Sequence, residues 1–142
     1  MFLRNRIVIA FFMPLSMLLT LSSCTINRPG SAITITNTKI ASGIDEKLMP
    51  IRATNIFPSG TTKVFCWLEW EKAKIGTKIV ARWHFVTDNI HILDYEFTIP
   101  RKEGFGSVAL AMPEKEKLPE GLYKIDLTIG KTVLKSLTFK VG

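Results

Sequence analysis

The sequence predicts an all-β fold, a sandwich or a small barrel of seven or eight short antiparallel strands, and three observations support it. From Ile33 onward, apolar and polar residues alternate with a period of two, the period of side chains along a strand. Turn-forming residues separate the alternating segments, for example Asp88-Asn89 and Gly130-Lys131. Beyond the N-terminal segment, no long stretch has the 3.6-residue period of an amphipathic helix.

The individual strands are expected to differ in burial. Residues 33–40 alternate β-branched and polar residues, as an exposed or edge strand does. The intervening Thr residues and Lys39 are expected to protect this edge, and the alternative is strand addition through Ile33, Ile35 and Ile40. Residues 63–70 form the most apolar strand, with Phe65 and Trp67 facing away from Cys66 and Leu68, so that one pair is expected to cover a second layer or a partner. The other strands are predicted at residues 51–57, 78–86, 90–99, 106–112, 121–129 and 132–141, and residues 112–118 hold at most one helical turn.

The pairing of neighbouring strands is predicted from the faces that it aligns. The strands on either side of Asp88-Asn89 share one apolar face when Trp83 is opposite Tyr95, and the other face then pairs Arg82 with Glu96 and His84 with Asp94. The last two strands are expected to pair through a three-residue turn, with the facing pairs Ile125–Leu137 and Tyr123–Phe139.

The N-terminal segment has the pattern of a bacterial export signal. Basic residues precede a mostly apolar run from Ile7 to Leu19, and small residues follow it. As a helix this run rises only ~20 Å, short of a ~30 Å hydrocarbon core, which argues against a transmembrane anchor. Leu21-Ser22-Ser23-Cys24 resembles the lipobox of bacterial lipoproteins. The resemblance implies that residues 1–23 are a signal peptide, that cleavage falls between Ser23 and Cys24, and that Cys24 carries the lipid.

Residues 24–32 are predicted to be the lipidated N-terminus and a short tether, because they are small, polar and broken by Pro29-Gly30. At ~3.3 Å per residue the tether reaches roughly 25–30 Å, which keeps the following domain beside the membrane. In lipoproteins with this motif, an Asp directly after the lipidated cysteine retains the protein in the inner membrane, and this chain has Thr25 at that position. The resemblance therefore implies the outer membrane, on the side that faces the periplasm.

Charge and cysteine content narrow the classes of function. The formal net charge is +7, of which the two arginines of the signal segment contribute two, and a basic balance favours anionic lipid head groups or acidic partners. Nucleic-acid binding is not expected, because the lysines are scattered and no groove-reading motif is present. The densest basic cluster is predicted to be a solvated loop face and comprises Lys72, Lys74 and Lys78. With Cys24 lipidated, Cys66 has no disulfide partner.

Two segments of the C-terminal half resemble bacterial immunoglobulin-like domains. Gly76–Trp83 resembles the strand that places a core tryptophan, and Leu118–Gly130 with Phe139–Val141 is similar to the closing strands. The resemblance implies that residues 33–142 form a single immunoglobulin-like antiparallel sandwich of seven or eight strands. It implies a fold and no particular activity, since such domains host many functions.

The same resemblance implies roles for three core residues. Trp83 is the core tryptophan, and Tyr123 is the tyrosine corner whose hydroxyl binds an upstream loop. Two residues after this tyrosine, antibody domains have a disulfide cysteine, whereas this chain has Ile125. Cys66 is therefore expected to be a buried thiol, with packing in place of the cross-link.

No site for catalysis or metal binding is predicted. His84 and His91 are the only histidines of the sequence, and together with Asp94 they are too few and too exposed for a metal site. We expect a surface pair of His84 and Asp94, with His91 in a turn. Sequence motifs of nucleophilic, phosphate-binding and metalloprotease sites are absent. We therefore expect no enzyme activity and no cofactor.

The expected function is that of a non-enzymatic envelope lipoprotein. It is anchored to the membrane lipid through acylated Cys24, and its sandwich domain binds another envelope protein or supports an assembly. The alternative is a small lipid or ligand carrier with a closed β-barrel around a cavity. The three tryptophans and the six phenylalanines of residues 33–142 indicate a filled interior, which favours the sandwich.

Overall fold

The computed structural model describes residues 33–142, and the predicted signal peptide, lipobox and tether lie outside the described residues. The described part consists of strands and one short 3₁₀ turn at Pro113–Lys115. The strands are β1 (Thr34–Ile44), β2 (Pro50–Ala53), β3 (Ile56–Phe57), β4 (Lys63–Glu71), β5 (Lys78–Phe85), β6 (Ile90–Thr98), β7 (Gly104–Ala111), β8 (Gly121–Ile129) and β9 (Thr132–Val141). Among these residues, no helix is long and apolar enough to cross a membrane.

The strands form two sheets that pack as a sandwich. One sheet has the order β2-β1-β4-β7, and the other has the order β3-β9-β8-β5-β6. Neighbouring strands are antiparallel except for β3 and β9, which are parallel. The predicted all-β sandwich is confirmed, and the two sheets have separate edges instead of closing into the barrel of the alternative prediction.

The irregular strand predicted at residues 51–57 is two strands that belong to different sheets. β2 pairs with β1, and β3 pairs with β9. Thr54 and Asn55 make the crossing, because the Thr54 N–H donates to the carbonyl of Ile40 in one sheet while the Asn55 carbonyl accepts from Lys140 in the other. The described residues therefore contain nine strands, although seven or eight were expected.

The predicted register of β5 and β6 is wrong by two residues. Trp83 is opposite Leu93, and Tyr95 is opposite Ala81. A shift of two residues leaves every side chain on its expected face, so alternation alone does not reveal the error. The actual register follows from a four-residue connection, residues 86–89, and from a bulge between Trp83 and His84.

The pairing predicted for the last hairpin is confirmed. Ile125 is opposite Leu137 and Tyr123 is opposite Phe139. The turn itself is shorter than expected, because only two residues separate Ile129 from Thr132, and a bulge between Leu127 and Thr128 absorbs the difference.

Aromatic rings fill the space between the sheets. Tyr123 and Phe139 stack with their ring centroids 4.9 Å apart, and Trp83 contacts Phe139 edge to face at 6.2 Å. Phe57, from the short strand β3, packs on the other side of Phe139 at 5.7 Å. The side chains of Trp83, Tyr123 and Phe139 are each at most 1% exposed. The interior is therefore packed with side chains, as a sandwich core requires.

Both faces of β4 are covered, and a hairpin of this chain provides the second layer. Trp67, on the outer face of its sheet, is only 3% exposed. Its indole N–H donates to the carbonyl of Leu48 at 2.8 Å, and its ring lies 5.9 Å from Phe105. The connection between β1 and β2 thus folds over Trp67, and this tryptophan is not presented to a partner.

The apolar residues of β1 also face inward. Ile33 and Ile40 are buried and Ile35 is half-buried. β2 pairs with β1 only at residues 41–44, so β4 is the one strand that pairs with residues 35–40 among the described residues, and the prediction of an exposed or edge strand is confirmed there. The isoleucines pack into the core, so an added strand would bind here through backbone hydrogen bonds, and strand addition at this edge stays a prediction.

Candidate binding site

The loops of the sandwich lie at two ends, which differ in chemistry. We call the end where β1 begins the proximal end, and it carries the connections 72–77, 99–103 and 130–131. The distal end carries the connections 45–49, 58–62, 86–89 and 112–120. The pairing of Thr34 with Glu71 and of Gly121 with Val141 fixes which loops share an end.

An apolar pocket opens at the distal end, beside the start of β6. Its volume is about 310 Å³. The walls come from the end of β5, the start of β6, the connection 112–120 and the start of β8, and the lining residues are Phe85, Ile90, His91, Ile92, Met112, Leu118, Pro119 and Tyr123. Ile90 is 50% exposed, whereas Leu118 at the floor is 2% exposed.

Tyr123 holds one wall of this pocket in place. Its hydroxyl donates to the carbonyl of Pro119, which is the upstream contact expected of a tyrosine corner. The phenol ring packs against Phe85 with the ring centroids 4.8 Å apart, and burial raises the pKa of Tyr123 to about 12. A second bond, from the Leu118 N–H to the carbonyl of Thr61 at 2.8 Å, fixes the same loop to the connection 58–62.

His91 lines the pocket, and the polar contacts of the histidines on β5 and β6 differ from the prediction. His91 contacts Asp94 at 2.8 Å, and Arg82 contacts the same carboxylate at 3.7 Å. His84 contacts Asn89 at 3.2 Å, so the expected His84–Asp94 pair is wrong. The bulge after Trp83 is the physical reason, because it brings His84 opposite His91. Within residues 33–142, no group of three or more side chains is arranged to hold a metal ion.

The strand that borders the pocket has an open edge. β6 pairs with β5 on one side, and no other strand of the described chain pairs with it. Its length, nine residues, is sufficient for an added strand. Tyr95 is 52% exposed, and the exposed Asp94 and Glu96 give this region of the edge an acidic character.

Of the three predicted core residues, only Tyr123 lines the pocket. Cys66 is fully buried and free, and burial raises the pKa of its thiol to about 12. Trp83 is fully buried, and its indole N–H has no hydrogen-bond partner among the described residues. These two residues are therefore placed for packing, away from any surface where a ligand is accessible.

Four separate segments of the chain build the pocket, so the residue pattern of any one segment does not predict it. Met112 and Leu118 are the informative residues, since they are apolar and bracket the charged segment Glu114–Lys117. Apolar residues at both ends of a charged loop indicate a loop that is anchored at its ends. This pattern indicates that the loop 112–120 is ordered, but it does not indicate which strand the loop packs against.

The comparisons with known proteins address the fold. No protein-family model matches the sequence, and no curated protein matches it. An immunoglobulin-like protein from Pseudomonas aeruginosa superposes with a TM-score of 0.55 at 14% identity, over 79% of this chain and 98% of that chain. The alkylpurine DNA glycosylase AlkC of Pseudomonas fluorescens, solved on DNA with an abasic site analog, gives a TM-score of 0.46 at 11% identity, over 79% of this chain and 31% of that chain. The first likeness confirms the predicted immunoglobulin-like sandwich, and at this identity it shows the fold alone.

Proposed function

We propose that this protein is a non-enzymatic lipoprotein of the bacterial cell envelope that binds an extended segment of another envelope protein. The anchor is acylated Cys24, and the membrane is the outer membrane, on its periplasmic side. The binding site is the distal pocket together with the open edge of β6. The observation that carries the proposal is the position of an apolar pocket directly beside an unpaired strand edge.

A strand added to β6 would bind through two kinds of interaction. Its backbone would hydrogen-bond to the open edge, and an apolar side chain near its end would enter the pocket. Fully burying one Leu or Phe side chain contributes about 1.5–3 kcal/mol. The pocket, at about 310 Å³, lies at the lower end of the ~300–1,000 Å³ range of ligand sites, which suits one large side chain.

The charge of the edge favours a basic partner segment. Asp94 and Glu96 are exposed on β6, and Glu96 has no ion pair within residues 33–142. Opposite charges on facing strands stabilise their pairing by roughly 0.2–1 kcal/mol for each pair. The partner is therefore expected to carry one large apolar residue followed by Lys or Arg at alternate positions.

The anchor is supported by the chemistry of the two cysteines. Lipidation needs a reactive sulfur, and Cys66 is buried with a thiol pKa of about 12. Cys24 is thus the only cysteine of the sequence that fits the modification. Replacement of Cys24 by Ser is expected to abolish membrane fractionation and the lipid mass shift, whereas Cys66→Ala keeps both. Unchanged fractionation of the Cys24→Ser chain would contradict the anchor.

The binding site is tested with a matched pair of surface substitutions. Ile90→Arg places a charge at the mouth of the pocket, and Val133→Arg places the same charge on β9 at a residue that is 53% exposed. In crosslinking and pulldown of the mature protein from its own envelope, the recovered partner is expected to fall at least tenfold for the first variant only, since it loses an apolar contact and gains a buried charge. Equal recovery with both variants would refute the site.

A second candidate function is the binding of a small apolar ligand, which the volume and apolar lining of the pocket favour. This ligand would sit at the edge of the sandwich, since the interior is filled by aromatic rings. Solvent extraction of the purified protein, followed by mass spectrometry, separates the candidates. A stoichiometric small molecule that is absent from the Ile90→Arg variant supports ligand binding, and its absence from both chains supports a protein partner.

A further inference from the structure

The two ends of the sandwich carry opposite charge. The connections of the proximal end hold five basic residues and one acidic residue, a net charge of +4: Lys72, Lys74, Arg101, Lys102 and Lys131 against Glu103. Those of the distal end have a net charge of −3: Lys47, Lys115 and Lys117 against Asp45, Glu46, Asp88, Glu114, Glu116 and Glu120. All of these side chains belong to exposed residues. The loops at the two ends therefore differ in net charge, and Glu69 and Glu71 at the end of β4 lie beside the basic loops.

The basic loops of the proximal end are held together as one surface. The indole N–H of Trp70 donates to the carbonyl of Arg101 at 3.0 Å, and the Ala73 N–H donates to the carbonyl of Lys102 at 2.9 Å. A third bond joins the Gly76 N–H to the carbonyl of Ile99 at 3.0 Å. These hydrogen bonds hold the backbones of connections 72–77 and 99–103 together, so their basic side chains lie on one surface.

An apolar side chain projects from the middle of this basic surface. Ile75 is 65% exposed and follows Lys74. The turn at this position is formed by Gly76 at φ +94°, a conformation that glycine adopts without strain. An exposed apolar residue among basic side chains is the arrangement by which peripheral proteins bind the interface of an anionic bilayer.

We propose that the proximal end docks on the head groups of anionic phospholipids, with Ile75 inserted at the interface. The chain enters the domain at this end, and Cys24 precedes Ile33 by nine residues, a span of at most about 30 Å. This orientation rests on the proposed lipid anchor, because the anchor is what brings the domain to the membrane. Docking turns the distal pocket and the start of β6 away from the bilayer, where a partner has access to them.

The strength of docking follows from the charges. Each Lys or Arg near an anionic surface strengthens binding about fivefold, so removal of three lysines is expected to weaken docking roughly a hundredfold. The tether keeps the domain at a high effective concentration near the surface, which makes a weak interaction sufficient. Added salt is expected to weaken docking, because the charges are exposed to solvent.

The experiment uses the full lipidated protein, reconstituted into vesicles of phosphatidylcholine with 30% phosphatidylglycerol or of phosphatidylcholine alone. An environment-sensitive dye is attached after Ile75→Cys, and in a second chain after Leu48→Cys at the distal end, where the native side chain is 53% exposed. Cys66 does not compete for the dye because it is buried. Quenchers attached to lipid are expected to quench the dye at position 75 in the anionic vesicles, and to leave the dye at position 48 unchanged.

Two triple variants of equal charge change provide the control. Docking is expected to fall roughly a hundredfold with Lys72→Gln, Lys74→Gln and Lys102→Gln, and to change less than twofold with Lys47→Gln, Lys115→Gln and Lys117→Gln. Equal quenching of the dyes at positions 75 and 48, or equal effects of the two triple variants, would overturn the docked orientation. In that case, flotation of the protein with the vesicles would still support the anchor. Flotation that survives Cys24→Ser at low and high salt would overturn the anchor, and the dyes would still decide the orientation.

Discussion

The free energy of unfolding is expected to fall at alkaline pH because the Cys66 thiol is buried. Burial raises its pKa from 9.0 to about 12, so above pH 9 the unfolded chain loses this proton while the native chain keeps it. The unfolded state then binds fewer protons than the native state, and the free energy of unfolding falls as the pH rises from about 9 to about 12. At ~1.4 kcal/mol for each pH unit above 9, the thiol contributes a loss of about 3 kcal/mol between pH 8 and pH 11.

Urea unfolding at pH 8 and pH 11 checks this value, with the chain from residue 24 carrying Cys24→Ser as the reference. The same chain with Cys66→Ala is the control, because the two proteins differ only in this thiol. The small cavity left by the alanine costs about the same at both pH values and cancels in the comparison. We expect the reference chain to lose about 3 kcal/mol more than the variant. Equal losses would show that the thiol ionises in the native state, which would refute the buried position.

Two further substitutions test the packing around the pocket, and both are measured by urea unfolding. Tyr123→Phe removes the hydrogen bond to the upstream loop and is expected to lower the free energy of unfolding by about 1–2 kcal/mol. Tyr95→Phe, at a half-exposed residue, is expected to lower it by less than about 0.5 kcal/mol. Similar losses for the two variants would show that the hydrogen bond of the tyrosine corner does not stabilise the fold. Gly121→Ala, at φ +146°, would place a Cβ atom 2.6 Å from the Thr87 hydroxyl oxygen. It is expected to cost about 3 kcal/mol from overpacking and strain, against about 1–2 kcal/mol for Gly60→Ala, whose new atom meets nothing within 4 Å. Equal costs would indicate backbone strain alone.

The fold was predictable because each strand has an alternating pattern and each boundary has turn residues. In the last hairpin, the pairs Tyr123–Phe139 and Ile125–Leu137 were predicted correctly because they bring buried faces together, whereas its turn was predicted one residue too long. The hairpin of β5 and β6 was not predicted correctly, because a shift of two residues preserves both faces. A bulge decided that register, and a bulge depends on backbone geometry that residue types do not specify.

The candidate site was predictable only in part. Tyr123 was identified by its resemblance to a tyrosine corner, and it does bind the upstream loop. Its neighbours in the pocket were not identified, because Phe85, Ile92 and Met112 come from separate segments whose approach depends on how the sheets pack. The lipid anchor at Cys24 stays a prediction, as it lies outside the described residues.

The acidic edge of β6 also bears on whether two copies of this protein associate. An unpaired strand normally invites pairing between identical chains. If two β6 strands paired antiparallel about their midpoint, Asp94 of one copy would oppose Asp94 of the other, and like charges directly opposite each other destabilise a sheet. The same carboxylate that would attract the proposed basic strand would therefore disfavour pairing of two copies through this edge.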